Sequence, residues 1–150
     1  MNVSLKEFIE TGRFGPVHLG MNRAQVERSL GAPDDVGWGS RKHRQPAIWK
    51  YGDVEFHFGR EGDALFLIHL DEFDVPSGGK FVGLDPWVIR GSLTLLEAEK
   101  YLTRNGIDYE VADYPLEDDA MCIKTGAGVK LIFIGERLPL RAVSYLDPAT

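Results

Sequence analysis

The spacing of hydrophobic residues along the chain switches between a helical and a strand period, and the switches mark the elements. Ser4-Leu5-Lys6-Glu7 has the form of a capping box, with Ser4 as N-cap and Glu7 reaching back to it. A short helix is expected to follow, with Leu5, Phe8 and Ile9 on one face and Gly12 as its stop. Asn22-Arg23-Ala24-Gln25 repeats the capping logic and opens a helix that runs to Leu30, where Gly31 caps it and Pro33 forbids continuation. Residues 34–46 read as a polar loop. The period then falls to two. Ala47–Tyr51 and Val54–Phe58 flank the hairpin turn Gly52-Asp53, and Gly59–Asp63 leads into a third strand, Ala64–Leu70. The stretch from Asp71 to Asp85, with Pro76-Ser77-Gly78-Gly79, reads as a linker.

The second half repeats this programme. Thr94-Leu95-Leu96-Glu97 is another capping box, its helix runs to Thr103, and Asn105-Gly106 stops it. Extended stretches follow at Tyr109–Ala112, Met121–Lys124, Val129–Ile134 and Leu140–Leu146. Helix 21–30 aligns over 93–102, Val54, Phe56 and Phe58 over Val129, Leu131 and Phe133, and Leu65, Ile68 and Leu70 over Leu140, Val143 and Tyr145. The expected fold is α+β: two tandem units, residues 1–74 and 87–150 with a linker at 75–86. Each unit packs helices on one face of an antiparallel sheet, and together they form one compact structure.

The segment Gly20-Met21-Asn22-Arg23-Ala24-Gln25-Val26-Glu27-Arg28-Ser29-Leu30-Gly31-Ala32-Pro33 resembles the signature of the BamE (SmpA/OmlA) family, Gly-Met-polar-x-x-Gln-Val-x-x-x-Leu-Gly-x-Pro. The resemblance implies a helix pair on a small antiparallel sheet. Members of that family are lipoproteins of the outer-membrane assembly machine; this chain departs from them in lacking a signal segment, a lipid-anchor cysteine and a single-copy length. The tandem arrangement is similar to that of β-lactamase inhibitor proteins, whose two like halves form a concave sheet that grips an enzyme.

Alternation in the strands sorts their side chains between two faces. Across the Gly52-Asp53 turn, Trp49 and Tyr51 join Val54, Phe56 and Phe58 on the side of the helices. Phe66, Ile68 and Leu70 should point the same way. The opposite face then carries Ile48, Lys50, Glu55, His57, Leu65, Leu67 and His69 in the first half. In the second half it carries Lys130, Ile132, Ile134, Leu140, Ala142 and Ser144. That face is more apolar than solvent alone favours. A terminal segment or a dimer mate covers it, or it binds another protein, or it borders a small-ligand cleft. The residues expected to meet a partner are Ile48, Lys50, Glu55, His57, Leu65, Leu67, His69, Ile132 and Leu140.

Composition adds constraints. At 150 residues, with 43% hydrophobic and 27% charged side chains, the chain is long enough for a buried core and is not of disordered type. Its formal charge is -6, which suits a basic partner and argues against duplex nucleic acid. The basic run Arg41-Lys42-His43-Arg44, near Trp38 and Trp49, is the one feature that suggests single-strand binding; in an acidic chain it reads as a solvated loop. Cys122 is the lone cysteine, in an apolar strand, and reads as a buried, inert thiol. His18, His43, His57 and His69 have no zinc-type spacing, the acidic runs at 71–74 and 117–119 lack calcium-loop punctuation, and 76–80 lacks the spacing of a phosphate loop. No metal, cofactor or catalytic residue is therefore expected. No apolar run approaches the roughly 18 residues of a membrane span, and the N-terminus has no apolar signal core, so the expected compartment is the cytoplasm. The expected function is non-enzymatic binding of another folded protein, as an inhibitor or a toxin-neutralising immunity protein, with a homodimer possible in principle. The alternative is an enzyme or small-ligand binder with a cleft between the two units.

Overall fold

Caps decide where the helices begin. In the computed structural model, which describes residues 1–38, 45–59 and 62–149, the Ser4 side chain accepts from the Glu7 N–H and starts helix α1, Leu5–Thr11. Reciprocal capping boxes start α2, Arg23–Leu30, at Asn22 and Gln25, and α3, Leu95–Arg104, at Thr94 and Glu97. The Glu97 carboxyl is held below the usual carboxylate range, first by the backbone hydrogen bond at Thr94. Gly12 ends α1 in the left-handed conformation at φ 79, and a Cβ there would lie 2.7 Å from the Tyr145 ring, so the position is closed to other residues twice over.

Among the described residues ten strands accompany these three helices. β1 (Asn2–Ser4) and β6 (Gly83–Asp85) form a small parallel pair. The other eight are β2 (Asp35–Gly37), β3 (Ile48–Tyr51), β4 (Val54–Phe58), β5 (Leu65–Asp71), β7 (Tyr109–Asp113), β8 (Ala120–Thr125), β9 (Lys130–Ile134) and β10 (Leu140–Leu146). They make one antiparallel sheet in the order β2-β3-β4-β5-β10-β9-β8-β7. The expected pair of units, each with helices on a sheet of its own, is thereby corrected: strands dominate, and the last strand of each half pairs with the other through Ala142↔Asp71 to Leu146↔Leu67. Left apart, β5 and β10 would each expose an edge of unpaired N–H and C=O groups; side by side they satisfy one another.

The helices do not divide between the halves either. Phe8 of α1 stacks edge-on against Tyr145 of β10 at 6.1 Å, and Thr125 of β8 donates to the Ile9 carbonyl at 2.9 Å. A helix from the beginning of the chain thus seals strands from its end. Phe14 meets both Phe8 and Phe56, and the buried residues of all three helices join those of β3–β5 and β8–β10 in one core. Trp49 belongs to this side as well, edge-on to Phe58 at 5.0 Å, so it is no exposed stacking platform. Arg23, at the start of α2, lies over the Phe58 ring, donates to the Pro46 carbonyl and pairs with Asp63, tying the helix to the turn before β5.

Candidate functional site

Because every helix packs on one face of the eight-stranded sheet, the other face carries no helix among the described residues. Registers place its side chains in transverse rows. The middle row crosses the whole sheet: Asp35, Lys50, Glu55, His69, Ser144, Lys130, Lys124 and Glu110, each directly opposite the next. On one side of it lie Ile48, His57, Leu67 and Leu146. On the other lie Asp71, Ala142, Ile132, Cys122 and Ala112. A polar stripe therefore runs between two mainly apolar ones, the first in the β3–β5 half and the second in the β8–β10 half.

The structure brings together Ile48, Lys50, Glu55, His57, Leu67 and His69 of the expected set; Ile132 lies on the same face but is buried beside Cys122 and Ala142. Leu65 and Leu140 are corrections. Both are buried in the helix-side core, at 0% and 5% exposure. The cause is a bulge at the same point in each strand. β5 pairs Leu65 with Phe58 and Leu67 with His57, and β10 pairs Leu140 with Phe133 and Ala142 with Ile132. One extra residue, Phe66 or Arg141, sits between the pairs and reverses the alternation. Phe66, expected in the core, instead meets the His57 ring edge-on at 6.3 Å. Arg141 is exposed on a strand flanked on both sides. With the other surface of the sheet under helices, it too stands on this face.

Charge is handled differently across the face. In the first half, Glu55 Oε1 lies 3.0 Å from His57 Nε2 and Asp71 Oδ2 lies 3.2 Å from His69 Nε2. Burial pushes the His57 imidazole below its ordinary value; Glu55 opposes this, while His69 and Lys50 add to it. In the second half, Lys124 and Lys130 are direct cross-strand neighbours, both exposed, and with Arg141 they form no ion pair among the described residues. In the row beside them Cys122, Ile132 and Ala142 pack together with Tyr114 and Ile134. Burial raises the Cys122 thiol, although both lysines pull the other way, which keeps it in the unreactive protonated form.

Sequence reasoning missed Asp35, Phe66, Asp71, Glu110, Ala112, Cys122, Lys124, Arg141 and Leu146 as members of the face. The signal for Phe66 and Arg141 is their shared offset from Leu65 and Leu140, visible only once a bulge is admitted. A groove of about 690 Å³ lies elsewhere, at the end of β7–β9, lined by Asp113, Tyr114, Asp118, Met121, Glu136 and Arg137 among others; all come from the second half, so it is no cleft between halves. The basic run at 41–44 falls outside the described residues. Among the described residues, no three His, Cys, Asp or Glu side chains are placed to hold a metal ion, and no helix is long and apolar enough to cross a membrane. Comparison of the chain with family models, curated proteins and solved structures gives no match.

Proposed function

We propose that this protein is a non-enzymatic binding module that presents the helix-free sheet face to another folded protein. One observation carries the reading: among the described residues a face spanning eight strands has no helix upon it, and its row of Ile48, Leu67 and Leu146, with Phe66 beside it, stays partly exposed. Burying one such side chain contributes on the order of 1.5–3 kcal/mol, so three or four can anchor an interface. At about 4.8 Å per strand the sheet is roughly 38 Å wide, enough for a surface of the standard size near 800 Å² per partner. The narrower form of the proposal is an inhibitor or toxin-neutralising immunity protein, whose role requires a broad surface and no chemistry. The likeness of Gly20–Pro33 to the BamE signature is proposed only as a shared way of entering and leaving a helix, supported by the Asn22–Gln25 box and Gly31.

The test is capture of partners from the native lysate by wild type, Leu67→Asp and, as control, Leu96→Asp. Leu96 is 69% exposed on α3, away from the face. Loss of a specific partner with Leu67→Asp alone, with the circular dichroism spectrum intact, is the expected result. Capture that survives Leu67→Asp, or that both variants abolish, rejects the reading.

A further inference from the structure

We infer that the partner meets the second half of this face with carboxylates: an acidic protein surface seats over Lys124, Lys130 and Arg141. The inference rests on the reading of the face as a docking surface and adds the chemistry of what docks. Lys124 and Lys130 stand directly opposite one another on β8 and β9, with Cβ atoms about 5 Å apart by strand geometry. Like charges so placed repel, and the free chain does little to relieve them. Glu110 lies opposite Lys124 on β7, but it is a single carboxylate for three cations and forms no ion pair with them.

The contrast with the other half of the face is what gives direction. There, Glu55 and Asp71 each lie beside a histidine, and Lys50 has Asp35 on one side and Glu55 on the other. Each of those carboxylates has a hydrogen-bond partner in the chain and Lys50 has a carboxylate on either side, whereas Lys124 and Lys130 have each other. Locally the face thus asks for the opposite of what the net charge of -6 suggests, namely an acidic rather than a basic partner. A protein suits it better than nucleic acid. The cations are confined to three neighbouring strands, Glu110 and Asp71 bound them, and the row beside them is the buried Cys122, Ile132 and Ala142 rather than an exposed aromatic platform.

The experiment is an amide chemical-shift titration of the whole chain with capped hexaglutamate, and separately with capped hexalysine and an oligothymidylate. Hexaglutamate should shift the amides around Lys124, Lys130 and Arg141 saturably, and hexalysine should not. The Lys124→Glu, Lys130→Glu double variant should bind hexaglutamate about tenfold or more weakly, and Lys124→Gln with Lys130→Gln serves if the reversal disturbs the fold. Shifts that are absent, that lie elsewhere, or that persist in the double variant overturn the inference. Tighter binding of oligothymidylate at the same residues overturns it in favour of nucleic acid. If hexaglutamate fails while Leu67→Asp still abolishes capture, the docking face stands and only the acidic partner falls.

Discussion

Two halves of one sheet face share a mirrored strand order and differ in how they place their charges. β5 and β10 carry a bulge at corresponding points, and a capped helix precedes each half's strands, with Asn22 bridged to Ala64 and Thr94 to Pro139. Yet the β3–β5 half gives its carboxylates Glu55 and Asp71 histidine hydrogen-bond partners, whereas the β8–β10 half sets two lysines side by side. Backbone pairing therefore fixes where side chains point without fixing what they need. The half that satisfies itself can offer apolar contact; the half that does not is where a partner's charges matter.

The sharpest way to break this picture is to compare residues on either side of a bulge. Leu65→Asp should unfold the protein, because an unpaired carboxylate would enter a core position with no exposure. Leu65→Ala and Leu140→Ala should each cost about 2–5 kcal/mol in urea denaturation. Leu67→Ala, two residues from Leu65 but on the other face, should cost under about 1 kcal/mol. Equal effects at Leu65 and Leu67 would mean that the bulge is not there.

That bulge also shows where the sequence stops being legible. Capping boxes are local, so Ser4, Asn22 and Thr94 announce their helices without reference to the rest of the chain, and the long strands declare themselves by alternation. A bulge is a property of a pair: nothing within Leu65-Phe66-Leu67 says that Phe58 and His57 face the first and last of them. Strict alternation therefore put Leu65 and Leu140 on the wrong face for one shared reason. The period of neither strand records the union of the halves, since the edge at which β5 meets β10 is likewise a property of a pair. β1, β2 and β6 are three residues each, too short for any pattern, and exist because distant partners complete them.

The helices extend the comparison at lower energy. Asn22→Ala and Thr94→Ala remove equivalent caps, each with its reciprocal bond to the third helical residue. Each should cost about 1 kcal/mol by chemical denaturation. A much larger loss at one site would show that the helices carry unequal shares of the core.

Protonation separates the halves in another way. The His57 imidazole is held below its ordinary value chiefly by burial. In the window between its folded value and the ordinary value of about 6.5, the unfolded chain binds the proton and the folded chain does not. His57 therefore contributes stability that is full above about pH 6.5 and is lost as pH falls through that window. The thermal midpoint of wild type should drop more steeply between neutral and mildly acidic pH than that of His57→Gln. Identical slopes would indicate that the ring titrates as if in water.

The smallest effect tests the contrast most directly, because one kind of substitution should have opposite signs in the two halves. Lys50 sits between Asp35 and Glu55, so Lys50→Gln removes attraction and should destabilise by a few tenths of a kcal/mol. Lys130 sits beside Lys124 on one side and uncharged Ser144 on the other, so Lys130→Gln removes repulsion and should stabilise by about as much. Both shifts should shrink as salt is raised, since the groups are accessible to solvent and counter-ions screen them. Paired urea melts of the two variants at low ionic strength, repeated near molar salt, measure the sign and its decay together. If Lys130→Gln destabilises the chain, the lysine pair is already neutralised within the fold. The second half would then be as self-sufficient as the first.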